Sequence, residues 1–167
     1  MILIGPPGSG KSTVGPLLAA LLGVEFAETD SLIAQRAGKP VGDIFIDDGE
    51  DAFRELERSA ADEAIAGHRG VLALGSGSVL SQGIRALLAG QRVVYLETAF
   101  PAVARRSGLD GPHPPIPGNP RGRLRQFLEE RRPLYADLAW LTVSTDDRDA
   151  QQVAGEIAAA VAGEQGP

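Results

Sequence analysis

The chain has 167 residues and no cysteine, which excludes disulfide frameworks, thiolate zinc centres, iron–sulfur clusters and cysteine nucleophiles. Its 2 histidines, His68 and His113, are too few for a His-rich metal centre, and 16 Lys plus Arg against 22 Asp plus Glu leave a net charge of −6, the wrong sign for general nucleic-acid binding. The length fits one domain over residues 1–167 that needs no covalent staple, and no apolar run approaches the roughly 20 residues of a membrane span.

Met1–Ile4 is a short apolar run that reads as a strand leading into a glycine-rich turn. Met1 leaves no room for a signal peptide before that turn, so a cytoplasmic protein is expected. Lys11–Leu22 carries apolar residues at 14, 17, 18, 21 and 22, a helical spacing that stops at Gly23. Pro16 inside it is expected to bend the helix or cost a hydrogen bond. Val24–Phe26 reads as a short strand, Thr29–Ala37 as a helix ending at Gly38, and Val41–Ile46 as a short helix after Pro40. Ala52–Ala66, rich in Ala, Glu and Arg, reads as a long helix. Val71–Leu74 and Val93–Leu96 are continuous apolar runs suited to strands buried on both faces, with a helix over Gly83–Ala89 between them. Pro101 can open a helix over Ala102–Arg106.

Residues 107–120 break the pattern: with 5 Pro and 3 Gly they can form neither a helix nor a central strand, and a loop this long reads as a lid. Beyond it the sequence predicts helices over Arg121–Arg132 and Tyr135–Ala139, a strand over Leu141–Val143, and a closing helix over Ala150–Ala162 with Val153, Ile157 and Val161 on one face. Strands and helices alternate from end to end. That order predicts an α/β fold: a central five-stranded parallel sheet with helices on both faces, a three-layer α/β/α sandwich.

Gly5-Pro-Pro-Gly-Ser-Gly10-Lys11-Ser12 matches G-x-x-x-x-G-K-[ST] in full, between a strand and a helix. In such a loop the glycines let backbone N–H groups turn inward around an anion, and the helix N-terminus adds its dipole. Lys11 brings a cation to the β- and γ-phosphates, and Ser12 a hydroxyl ligand for Mg2+. Gly8, Ser9, Gly10, Lys11, Ser12 and Thr13 are therefore the candidate nucleotide ligands, with ATP and Mg2+ as expected cofactors. The motif alone does not say what receives the phosphate.

Further landmarks follow in order: Glu28-Thr29-Asp30; Asp43-Ile-Phe45; Gly49-Glu-Asp-Ala-Phe53-Arg54-Glu-Leu-Glu57; Gly75-Ser76-Gly77; and Arg131-Arg-Pro-Leu-Tyr135. Together with the phosphate loop this series resembles the shikimate kinase family, over about residues 1–162. The resemblance implies a P-loop kinase fold and ATP-dependent phosphorylation of the 3-hydroxyl of shikimate, a carboxylate with three ring hydroxyls. It implies that Arg54 and Arg131 grip the acceptor carboxylate, for which planar guanidinium groups are well suited. Asp30 would orient the acceptor hydroxyl or take its proton; by position it could also cap the helix that follows. Glu57 would position Arg54. Phe45 and Phe53 would wall the ring or simply pack in the core, and Gly75 and Gly77 would let the backbone come close. Arg106 and Arg148 match arginines beside the adenine, Arg148 lying in a segment that also reads as an ordinary polar loop. Glu28 would share the metal with Ser12.

The sequence departs from the family pattern at Glu28 in place of Asp, at Ser76 in place of the middle glycine of the turn, and at His113 where the lid carries an arginine toward the phosphates. Arg121 and Arg123 stand nearby as substitutes. The acceptor is expected to be a small molecule, shikimate or a related cyclic polyol carboxylate, with no nucleic acid or membrane partner and a monomeric chain. A nucleotide-binding protein with little transfer activity is the remaining reading of a different class.

Overall fold

The computed structural model describes residues 1–106 and 119–163. The element order is β1 (Ile2–Ile4), α1 (Lys11–Leu22), β2 (Phe26–Glu28), α2 (Thr29–Ala37), α3 (Val41–Asp47), α4 (Gly49–Gly67), β3 (Val71–Ala73), a 3-10 turn (Ser78–Leu80), α5 (Gln82–Leu88), β4 (Val93–Glu97), α6 (Phe100–Arg106), α7 (Pro120–Leu138), β5 (Leu141–Ser144) and α8 (Ala150–Gly163). The five strands form one sheet in the order β2-β3-β1-β4-β5, with every neighbouring pair parallel.

The apolar runs alternate between the two faces of the sheet, as the two-residue period of a strand requires. Ile2, Ile4, Leu72, Leu74, Val93 and Tyr95 pack in one core cluster with Ala61, Ala64, Ile84 and Tyr135. Leu3, Val71, Ala73, Val94 and Leu96 pack in the other with Val14, Leu18, Val153 and Ile157. The sheet is thus covered on both sides, α1 and α8 on one face and α4, α5 and α7 on the other. A third, smaller cluster joins Ile33 of α2, Ile44 of α3 and Phe53 and Ala60 of α4.

Two expectations shift. The second strand is Phe26–Glu28, two residues later than the apolar run suggested. It lies at the sheet edge and is only half buried, so tertiary pairing with β3 sets its register more than hydrophobicity does. The helices expected on either side of Pro133 are one, Pro120–Leu138. The missing proline N–H removes one bond, but the residues beyond it, Leu134, Tyr135 and Leu138, anchor the last turns in the core. α1 spans Lys11–Leu22 as expected and continues through Pro16, which has no N–H to give to the carbonyl of Ser12, an exposed residue. The expected lid, with His113, lies outside the described residues except for its last members: Asn119 accepts a 3.0 Å bond from Gly122 N–H and so caps α7, with Pro120 at the first helical position.

The order of connections reverses about β1. In open α/β sheets, ligands bind in the crevice at the carboxyl ends of the strands at such a reversal. The loops that leave β1, β2 and β3 at that edge carry the phosphate motif, the acidic pair and the glycine turn.

Candidate active site

The loop after β1 turns sharply because only glycine fits there. A Cβ on Gly5 would stand 2.6 Å from the Leu96 carbonyl oxygen and 2.8 Å from Ser9 Oγ. Gly8 and Gly10 hold φ of 71° and 95°, left-handed values that aim their amides into the loop. Lys11, buried at the start of α1, donates from Nζ to the carbonyls of Gly5 at 2.8 Å and Pro6 at 3.1 Å. Burial pulls its pKa down to about 8, against the opposing pull of Asp30 and Glu28. Ser12 donates its hydroxyl to Glu28 Oε1 at 2.6 Å. Two hard oxygen donors thus sit side by side where a Mg2+ ion shared with phosphate oxygens would bind, a donor set that suits it.

Gly8 to Val14 line a cleft of about 410 Å³ together with Arg106, Thr145, Arg148, Ala150 and Val153. Arg106 is fixed there by three bonds: Nη1 donates to the Gly8 carbonyl at 2.8 Å and to Thr145 Oγ1 at 3.1 Å, and Nη2 to the Thr145 carbonyl at 2.7 Å. Held edge-on in this way, the guanidinium keeps its flat face for a base. Arg148 donates to the Ser144 carbonyl at 3.2 Å and pairs with Glu156 at 2.6 Å, so it lines the same cleft while bracing β5 to α8.

A second cleft, of about 480 Å³, opens on the other side of the loop, starting at Pro7. Asp30, Phe45, Phe53, Arg54, Glu57, Gly75, Ser76, Gly77 and Arg131 all line it. The rings of Phe45 and Phe53 stand 5.2 Å apart at 50°, and the Arg54 guanidinium lies 5.3 Å from the Phe53 centroid. Phe53 is buried and also belongs to the small third core, whereas Phe45 is 40% exposed and faces the opening. Arg54 donates to the buried Glu57 at 2.7 Å, and Glu57 also accepts from Ser78 Oγ at 3.0 Å, so the guanidinium stands on a fixed base. Glu50, one turn earlier, takes the other nitrogen of Arg54 at 3.2 Å. Arg131 stacks on Phe127 with 3.5 Å to the centroid. Two arginines with aromatic floors therefore face one cleft, an arrangement suited to a flat anion with an apolar ring.

Asp30 sits in the first turn of α2, with Glu28 at the cap position, and does not cap the helix. Burial, followed by the nearby Glu28 and Glu57, raises its pKa, while Lys11 opposes the rise. The glycine turn fits around these groups. A Cβ on Gly75 would stand 2.7 Å from Asp30 Oδ1, and one on Gly77 2.5 Å from Arg54 Nη1. Among the described residues only Asn119 and Asp147 are non-glycine residues with positive φ, so Ser76 needs no glycine backbone, and the middle of the turn tolerates its side chain.

The sequence reading missed Thr29, Thr145, Ala150, Val153, Val41, Glu50, Phe127 and Tyr135. Thr29 carried a usable signal: a hydroxyl between two functional acids on a helix start. It is fully buried, and its Oγ1 accepts from Gly75 N–H at 2.9 Å. Glu28, Thr29 and Asp30 thus face Ser12, the glycine turn and the second cleft in succession. Arg121 lies over Phe100 at 5.6 Å.

A parallel sheet with a phosphate loop after its central strand, and an anion cleft sharing that loop, defines a P-loop phosphotransferase. The shikimate kinase family model matches residues 7–162. Curated shikimate kinases of Thermobifida fusca and Salinispora arenicola are 54% and 52% identical, covering 94% and 96% of this chain and 91% and 96% of their own lengths. The shikimate kinase of Acinetobacter baumannii, solved in complex with shikimate, superposes with a TM-score of 0.88 at 34% identity, covering 98% of this chain and 93% of that one. A gluconokinase of Sinorhizobium meliloti, at 20% identity and a TM-score of 0.61, shares the fold alone. The chain belongs to the shikimate kinase family, ATP-dependent small-molecule kinases that work with Mg2+.

Proposed function

We propose that this chain transfers the γ-phosphoryl group of ATP to the 3-hydroxyl of shikimate, with the phosphate loop holding the donor and the second cleft holding the acceptor. One observation carries the reading. The two clefts meet at a single loop, Pro7 lining one and Gly8 the other, with Asp30, Arg54 and Arg131 together on the acceptor side.

Arg54 and Arg131 bind the acceptor carboxylate, and Phe45 and Phe53 pack against its ring. Held at that end, the ring turns its hydroxyl toward Asp30. Asp30 orients the hydroxyl and accepts its proton as the oxygen attacks, a role favoured by a carboxylate whose pKa lies above the ordinary range. Lys11, beside Asp30, supplies the fixed positive charge that meets charge developing on the transferred group. Ser12 and Glu28 hold the magnesium ion, which when bound neutralises phosphate charge. Arg106 and Arg148 keep the adenine side, and His113 is assigned to the phosphates from a lid over about 107–120. Both clefts are built from one chain, which supports a monomer acting on a small molecule; the net charge of −6 supports a site that needs no nucleic acid. We place it in the cytoplasm with no membrane partner; no described helix is long and apolar enough to cross a membrane.

The test is coupled ADP release with MgATP, with and without millimolar shikimate. Shikimate-dependent release supports the reading. Its absence, with release on another cyclic polyol carboxylate, would move the acceptor to that compound.

A further inference from the structure

Tyr135 is almost wholly buried, at 1% exposure, and its phenol points back from α7 to the acceptor turn, where it donates to the Ser76 carbonyl at 2.6 Å. The same carbonyl accepts a longer bond from Arg131 Nη1 at 3.4 Å, one helical turn earlier, and the Arg131 guanidinium also bonds the Tyr135 hydroxyl. A carbonyl oxygen has two lone pairs, so both donors from the one helix bond it at once, the phenol at the shorter distance. The ring has little freedom to leave: it stacks on Tyr95 with centroids 5.2 Å apart at 20°. The turn is fixed from its other side as well, by Thr29 on the Gly75 amide and Glu57 on the Ser78 hydroxyl.

We propose that Tyr135 is a positioning residue for recognition of the acceptor carboxylate: its hydroxyl takes the short bond to the Ser76 carbonyl and bonds Arg131, and so holds the guanidinium between the turn and the cleft, beside Arg54. The reasoning is one of satisfied groups. A partly buried carbonyl with no neutral donor draws the nearest cationic one, since bonds to charged groups are the stronger. Removing the phenol hydroxyl therefore takes one partner from Arg131 and the shorter bond from Ser76, which draws the guanidinium closer to the turn and away from the anion. The ring of a phenylalanine would still fill the space between Tyr95 and the turn, so the packing survives while the choice between the two partners of Arg131 changes.

This role rests on the acceptor reading above, and the experiment separates the two. Binding of shikimate and of its uncharged carboxamide is measured by calorimetry for the wild type and Tyr135→Phe, together with ADP binding. The wild type should prefer the carboxylate. In Tyr135→Phe the affinity for shikimate should fall about 10-fold, the scale of one charge-assisted bond, while affinity for the carboxamide and for ADP stays within about 2-fold. In turnover assays KM for shikimate should rise with kcat nearly constant. Equal losses for both acceptors, a parallel loss of ADP binding, or no change would overturn the role of Tyr135 alone. A wild type that binds neither acceptor overturns the acceptor reading and this role together. If Tyr135→Phe does not fold, the wild type itself supplies the readout. With labelled tyrosine, a slowly exchanging Tyr135 hydroxyl proton should persist when shikimate is added; its loss on binding would show that the phenol changes partner, and would overturn the proposal.

Discussion

The Glu28 carboxylate accepts a 2.6 Å hydrogen bond from the Ser12 hydroxyl, across the space between the end of β2 and the start of α1. The bond sets the hydroxyl oxygen beside a carboxylate, ready to share a cation.

Replacing that carboxylate should therefore act through the metal. Glu28→Gln should weaken ADP binding about 10-fold in millimolar Mg2+, the scale of one bond to a charged group, and leave metal-free ADP binding unchanged. Calorimetry with Mg2+ and with a chelator checks this; equal losses in both would assign Glu28 to the fold of the loop.

The pH dependence of kcat/KM for MgATP reports the free enzyme. Lys11 titrates at about 8, lowered by burial, so its charge is present below that pH and lost as pH rises through it; activity should fall on the alkaline side there. Asp30 must be ionised to accept a proton, and its raised pKa should place the acid-side fall above the ordinary carboxylate value of about 4. An alkaline limb that begins only near the unperturbed lysine value, about 10, would contradict the burial of Lys11.

Gly77→Ala isolates the acceptor cleft. Gly77 has φ −86°, which any residue adopts, so the backbone is not strained; the new methyl would stand 2.5 Å from the tip of Arg54 and at ordinary contact, 3.4 Å, from Glu57 Oε1. The arginine must swing off its seat on Glu57. Thermal stability should change by under about 1 kcal/mol, as for substitutions that create no core defect, while KM for shikimate rises at least several-fold. Steady-state kinetics beside a melting curve decide it.

Gly15→Ala sets two effects against each other. Within α1, alanine is favoured over glycine by roughly 1 kcal/mol. The added methyl, however, would stand 2.8 Å from two carbons of the Phe26 ring and closer still to a third. Overpacking of this kind typically costs about 1–3 kcal/mol, so net destabilisation is expected, visible as a lower urea midpoint with the same slope.

The alternation of strands and helices was legible because β1, β3 and β4 are short apolar runs covered on both faces, and because glycine stops such as Gly23 and Gly38 take the left-handed turn that ends a helix. β2 was misplaced because an edge strand has little burial to advertise. The break expected at Pro133 failed for the opposite reason: Tyr135 and Leu138 bury enough to carry α7 past a missing bond. In the candidate site, charged residues such as Lys11, Asp30, Arg54 and Arg131 stood out from the phosphate motif and the family resemblance. Those that hold other residues did not. Thr29 and Tyr135 bond backbone groups 46 and 59 positions away, and no local pattern encodes a partner at that distance.

The small core of Ile33, Ile44, Phe53 and Ala60 lies apart from the two clusters that flank the sheet. It carries the wall formed by α3 and the first turns of α4, beside Arg54 and Glu57. A unit with so few buried contacts opens at lower free energy than the sheet, so its amides should exchange with solvent first. It also gives the protein a region in which substrate preference can drift: changes at Val41, Phe45 or Glu50 alter the shape offered to the acceptor while the nucleotide machinery and the global melting point stay as they are. Selection for a new acceptor would find its variation there.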